Sequence, residues 1–124
     1  MKTLLKTSLA AITFLGAAIP AQAFQYNDSG SLQRALSGNS VIGSLSDGMA
    51  YCEFHAPNSG IFGRDYEVYA GNWRVANNYI CYAYPGSPED CQRALMQGQR
   101  ITFMDANTGS LISTGTIVPG NMCS

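Results

Sequence analysis

Lysine is missing from nearly the whole chain. Lys2 and Lys6 are the two it has, so every other basic side chain is an arginine: Arg34, Arg64, Arg74, Arg93 and Arg100. Eight acids oppose them (Asp28, Asp47, Glu53, Asp65, Glu67, Glu89, Asp90 and Asp105), which gives residues 24–124 a net charge of −3. Scattered arginines in an acidic chain make no basic stripe. Nucleic acid and anionic membrane surfaces are therefore not expected partners.

The frames of catalysis are equally scarce. His55 is the single histidine. General acid–base work needs an oriented partner and a reacting group within hydrogen-bond reach, and the candidate partner is Glu53, two residues away on the same strand face. The plainer reading of His55 is an exposed polar strand end beside Ala56-Pro57. A metal set of His55, Glu53 and Asp65 has one imidazole and no ligand spacing. The four cysteines lie 29, 10 and 32 residues apart, so there is no C-x-x-C pair to lower a thiol pKa. Nor is there a Gly-x-Ser-x-Gly elbow, a phosphate-cradling glycine loop or a tandem repeat. Asp105-x-Asn107-x-Gly109 matches the front of a calcium loop, but no acid follows Asp105 to close it. It reads as a hairpin turn. No catalytic residue, metal or cofactor is expected, and the chain is read as a non-enzyme.

What is present begins with an export pattern. Lys2 and Lys6 precede a mostly apolar run from Leu9 to Ile19, and Ala21-Gln22-Ala23 is a small-x-small cleavage site, so residues 1–23 read as a secretory signal peptide. The run is shorter than the about 20 apolar residues of a membrane span. Residues 24–124 then form one domain, periplasmic or secreted, with no membrane attachment expected after cleavage. A chain of about 100 residues buries a modest core, and an even cysteine count behind an export signal points to disulfides. Three pairings are possible. Cys81 and Cys91 bracket a Pro/Gly-rich loop and are the favoured pair, which leaves Cys52 for Cys123.

Ser29 or Ser31 can cap a short helix over Ser31–Ser37, with Leu32 and Leu36 on its buried face and Gly38 at its stop. After Asn39 the texture changes to short runs between turn residues. Strands are expected at Ser40–Leu45, Met49–His55, Arg64–Tyr69, Gly71–Ala76, Tyr79–Tyr84, Gln92–Met96, Gln99–Asp105 and Ser110–Val118. The fold class is mainly β: a small antiparallel meander, barrel or sandwich of seven or eight strands with one N-terminal helix. Alternation assigns Ala50, Cys52 and Phe54 to the core against Tyr51, Glu53 and His55. It likewise puts Trp73 and Val75, and Ile101 and Phe103, inside. For Tyr79–Tyr84 the inner face stays open between Ile80 with Tyr82 and Tyr79 with Cys81. A barrel this small is expected to be filled by its own side chains.

The stretch Tyr69–Cys91 concentrates the single tryptophan, Trp73, with Tyr69, Tyr79, Tyr82 and Tyr84. Core and cross-strand packing accounts for most such rings. A binding face made of Tyr66, Tyr69, Trp73, Tyr82 and Tyr84 is the functional lead, because tyrosine and tryptophan suit recognition surfaces.

The segments S-G-N-S-V-I-G-S (37–44), E-F-H-A-P-N-S-G (53–60), F-G-R-D-Y (62–66), G-N-W-R-V (71–75), I-C-Y-A-Y (80–84), P-E-D-C (88–91) and G-T-I-V-P-G-N (115–121) resemble a group of small secreted bacterial proteins of unknown function. That likeness runs over roughly residues 36–121 and implies a compact β fold and no particular activity. The Gly-x-Trp strand followed by a disulfide cysteine is also similar to lipocalin-like barrels, among them bacterial inhibitors of secreted metalloproteases. In those barrels the tryptophan strand comes early, whereas Trp73 is in mid-chain. Three functions are thus expected in order: binding of a protein or small apolar ligand by the aromatic face, inhibition of a secreted protease through a loose Phe24–Gly30 arm, and hydrolysis around His55 and Glu53.

Overall fold

The computed structural model describes residues 27–124. The expected signal peptide and the arm residues Phe24–Tyr26 lie outside the described residues. The chain opens with helix α1 (Ser29–Leu36), capped by Asp28, whose carboxylate accepts from the Ser31 N–H at 2.8 Å. That start is two residues earlier than expected and the cap is neither serine. A carboxylate at the N-cap takes a free amide donor and also faces the positive end of the helix. Leu32 and Leu36 are fully buried. Gly38, at φ 82°, turns the chain and donates its N–H to the His55 carbonyl at 2.7 Å.

Eight strands follow: β1 (Asn39–Leu45), β2 (Ala50–His55), β3 (Gly60–Arg64), β4 (Val68–Ala76), β5 (Tyr79–Ala83), β6 (Asp90–Gln97), β7 (Arg100–Asp105) and β8 (Leu111–Pro119). Each pairs antiparallel with the next, and β8 returns to β1, so the sheet closes into an up-and-down barrel with no free edge. At the β4–β5 hairpin Asn77 and Asn78 both take positive φ, 53° and 65°, the backbone that a two-residue turn of this hand requires. One expected strand is wrong. Arg64–Tyr69 is not a single strand, because Asp65–Glu67 forms a turn, with the Asp65 carboxylate accepting from the Glu67 N–H. The strand before it, β3, has glycine at Gly60 and Gly63 and little alternation to announce it.

The inner face of β2 is the reverse of the one expected. Tyr51, Glu53 and His55 are buried, while Ala50 is exposed and Cys52 and Phe54 are half-buried on the outer wall. Cys52 must face outward because its disulfide partner, Cys123, belongs to the C-terminal tail laid over that wall. His55, read as an exposed strand end, is fully buried. The other assignments hold: Trp73, Ile101 and Phe103 are buried in the core with Val75 packed against it, and Ile80 and Tyr82 settle the open face of β5. Cys81 is bonded to Cys91, its register partner on β6, so both favoured disulfides are formed. Two disulfides suit an oxidising compartment. No helix among the described residues is long and apolar enough to cross a membrane.

The two ends of the barrel differ. Helix α1 packs against β1, β4 and β5 and plugs one end with Leu32 and Leu36. Trp73 seals the same end, donating its indole N–H to the Ala56 carbonyl at 2.9 Å. At the other end no helix covers the mouth among the described residues.

Candidate functional site

At the uncovered end the barrel is not filled by its own side chains. A cavity of about 590 Å³ enters there, walled by Tyr51, Tyr69, Tyr82, Tyr84 and Phe103, with Tyr66, Glu67 and Pro85 at its exposed rim. The helix stops one end alone, and small residues leave room at the other: Ser113 lines the cavity from β8, and Gly63 lets the Tyr69 ring lie against the β3 wall. Four of the five aromatics expected to form a binding face (Tyr66, Tyr69, Tyr82 and Tyr84) therefore meet around one space. Trp73 does not join them. It belongs to the plugged end, where it packs edge-on against His55 at 5.1 Å between ring centres.

Glu53 is the polar centre of the cavity. It projects inward from β2 and is 8% exposed. The Tyr69 hydroxyl donates to its Oε2 at 2.7 Å and the Tyr84 hydroxyl donates to the same oxygen at 2.8 Å. These two rings meet edge to face at 5.4 Å, and Tyr84 stacks parallel to Tyr82 at 6.4 Å. Burial holds the Glu53 carboxyl above the ordinary carboxylate range; the phenol hydrogen bonds pull the other way, and the nearby Asp65 charge adds to the rise. All four wall tyrosines are pushed up as well, mainly by burial and also by the charge of Glu53: Tyr51 to about 12, and Tyr69, Tyr82 and Tyr84 further. They remain protonated donors over the whole biological pH range.

His55 shares the inner face of β2 with Glu53 but is turned to different partners. Its Nε2 is hydrogen-bonded to the Tyr82 hydroxyl at 2.9 Å, and its Nδ1 has no hydrogen-bond partner among the described residues. Burial lowers its pKa to about 4, against the weaker opposing pull of the Glu53 and Asn39 carbonyls, so the ring is neutral. The ring lies among Trp73 and Tyr82 and does not line the cavity. A substrate in the cavity would meet Glu53 and the phenols before any imidazole nitrogen.

Glu53, His55 and Asp65 do not converge as a metal set. Among the described residues the donor atoms that gather within 4.8 Å of one another are those of Cys81, Glu89 and Cys91, but the sulfurs are spent in their disulfide and Glu89 holds Arg74 in a two-pronged ion pair. The turn at Asp105 is a hairpin turn as expected, its carboxylate accepting from the Asn107 and Thr108 N–H groups at 2.8 Å each. The arm expected to be loose is tied down from Asn27 onward. Asn27 donates to the Ala94 carbonyl and accepts from the Met96 N–H, Asp28 caps α1, and Ser29 exchanges two hydrogen bonds with Asn78.

The cavity lining that sequence reasoning missed includes Tyr51, Glu53 and Phe103, and also Leu45, Gln92 and Ile112, which no pattern singles out. Polarity puts Tyr51 and Glu53 on the outside with the wrong face of β2, and Phe103 reads as ordinary core. The signal that could have recovered the β2 face is Cys52 itself, because a cysteine paired with a distant tail faces the outside of a closed barrel. No family model matches this chain, and no curated protein is significantly similar to it.

Proposed function

We propose that this protein is exported to the periplasm or the cell exterior and there binds one small, partly aromatic molecule in the open end of its barrel, without transforming it. The cavity carries the reading. Its volume falls inside the roughly 300–1,000 Å³ typical of small-molecule sites, and its wall is mostly aromatic and aliphatic with a few fixed polar groups, the composition such sites have. An eight-stranded barrel is also about the smallest that can enclose one small ligand. A small molecule is favoured over a protein partner because Tyr69, Tyr82 and Tyr84 turn into the barrel rather than out from it. Export is supported by the N-terminal signal pattern together with both disulfides.

The test uses the disulfide-bonded protein and two fluorescent aromatic probes, the neutral N-phenyl-1-naphthylamine and a cationic styrylpyridinium dye, with a set of small aromatic competitors. Uptake by the wild type and its loss in Gln92→Trp, which places a large ring in the cavity, is the expected result. Retention of the β-sheet circular dichroism in the variant shows that the barrel survives. If the wild type takes up no probe, or the filled variant takes it up equally well, the cavity is not a binding site.

A further inference from the structure

We infer that the molecule received by this barrel is an organic cation, a protonated amine or quaternary ammonium on a small apolar body, whose charge is met by Glu53 at the cavity wall. This rests on the reading of the barrel as a small-molecule receptor and names the class of ligand. Glutamate is almost never fully buried unless it is paired. Glu53 is buried, and the hydrogen bonds that hold it come from two neutral phenols, which solvate a carboxylate without cancelling its charge. Both fall on Oε2, so Oε1 is where a donor brought by the ligand would be received.

The surroundings carry the same sign. Asp65 and Glu67 stand at the mouth, and among the described residues no arginine, lysine or histidine lines the cavity. An anion would be repelled on entry. A neutral apolar molecule would deepen the desolvation of Glu53 and leave its charge unanswered. A cation gains from the carboxylate and also from the π faces of the tyrosine rings, an attraction that strengthens when water is excluded. The phenol hydrogen bonds fix the carboxylate beforehand, so the ligand need not order it on arrival.

The experiment compares probes of one skeleton that differ in charge: 2-phenylethylammonium, 2-phenylethanol and 3-phenylpropanoate. Benzyltrimethylammonium is added as a cation that cannot donate a hydrogen bond. Binding to wild type and Glu53→Gln is measured at neutral pH and low salt by calorimetry and by the aromatic side-chain NMR shifts of Tyr82 and Phe103. The expected result is at least about ten-fold tighter binding of an ammonium probe than of the alcohol, with the carboxylate probe weakest. That preference should collapse to within about two-fold in Glu53→Gln, which keeps an acceptor for both phenols, while the alcohol binds as before. If the alcohol or the carboxylate binds the wild type as tightly as the ammonium, the cation assignment is overturned and the receptor reading stands. A cation preference that persists in Glu53→Gln overturns the assignment to Glu53 and moves it to the rim acids. If none of the probes moves Tyr82 or Phe103, both readings fall together.

Discussion

Gly63 and Tyr69 stand opposite one another on β3 and β4, and the tyrosine ring occupies the space where any other residue at Gly63 would put its Cβ. A Cβ built there lies 2.2 Å from the ring. The glycine is needed for its missing side chain, because the Tyr69 ring must lie against the β3 wall for its hydroxyl to reach Glu53.

Gly63→Ala should consequently swing Tyr69 away from Glu53 while leaving the barrel closed, since the clashing atoms are the far end of a side chain and not backbone. The loss of one hydrogen bond to a charged acceptor costs roughly 1.5–3 kcal/mol. The expected outcome is a lower denaturant midpoint by about that amount, with the slope of the transition unchanged. A change in Tyr69 ring shifts by NMR, with Tyr84 still coupled to Glu53, would place the damage at this contact.

Glu53→Gln should stabilise the protein at neutral and alkaline pH and change little near pH 4. The folded pKa of Glu53 is raised above its unfolded value of 4.5, so the folded state holds the proton more tightly. Its contribution is favourable at low pH and is lost as pH rises from 4.5 through the raised folded value. The groups facing it are Asp65, Tyr51, Tyr69, Tyr82 and Tyr84, and the tyrosines do not titrate in that range. An amide of the same shape removes the titration and keeps an oxygen for the two phenols. Unfolding midpoints of wild type and variant should therefore diverge as pH rises; parallel curves would refute the buried ionisation.

Much of this architecture was legible in the sequence, and the exceptions have a common cause. Turn residues such as Asn77-Asn78, Gly98 and Gly109 divide the chain into short runs, and they place seven of the eight strands within a few residues. The gathering of tyrosines around Tyr69–Tyr84 marks a binding face in the sequence, but not the cavity that four of those rings surround. Polarity failed on β2, where a closed barrel with a polar interior and a disulfide-covered exterior reverses the usual rule that apolar side chains face in. Grouping by sequence failed at Trp73, which shares β4 with Tyr69 but stands four residues further along it, toward the plugged end. Closure of β8 onto β1 is a long-range pairing with no local signature, and whether an interior is filled depends on volumes contributed by all eight strands.

The seam that closes the barrel leaves its own mark in glycine. Gly43 on β1 and Gly115 on β8 are register partners, and a Cβ at Gly43 would meet the Thr114 carbonyl oxygen at 1.9 Å. Backbone cannot step aside as a ring can. Gly43→Ala should therefore cost more than Gly63→Ala, at or above the roughly 1–3 kcal/mol of ordinary overpacking. Hydrogen exchange should localise the new openings to β1 and β8, and an unchanged midpoint would refute the tight seam.

The two disulfides should differ in worth. Cys52–Cys123 closes a separation of 71 residues and Cys81–Cys91 one of 10. On loop entropy alone the first contributes about 4 kcal/mol and the second about 3 kcal/mol. The double variant Cys52→Ala, Cys123→Ala should be the less stable of the two double variants in urea. It also frees the tail that bonds Ser40, whose hydroxyl donates to the Gly120 carbonyl and accepts from the Met122 N–H. A gap of only about 1 kcal/mol would show that the tail contributes nothing beyond its covalent tie, and equal midpoints for both double variants would refute the ordering itself.

His55 should make the protein acid-sensitive, in the direction opposite to Glu53. Burial lowers its folded pKa from 6.5 to about 4, so the neutral ring favours folding fully above pH 6.5, and that contribution is lost as pH falls toward 4. At about 1.4 kcal/mol per unit this amounts to about 3 kcal/mol across the window. Above pH 4.5 the Glu53 titration pulls the other way, so wild-type curves understate both effects. Introducing His55→Gln into a Glu53→Gln background separates them. The amide can still bond the Tyr82 hydroxyl, and without either titration the midpoint should be nearly flat from pH 6.5 to 4.5, whereas Glu53→Gln alone should fall steeply. If the single and double variants lose stability in parallel as the pH drops, the buried ring is not the group that takes up the proton on unfolding.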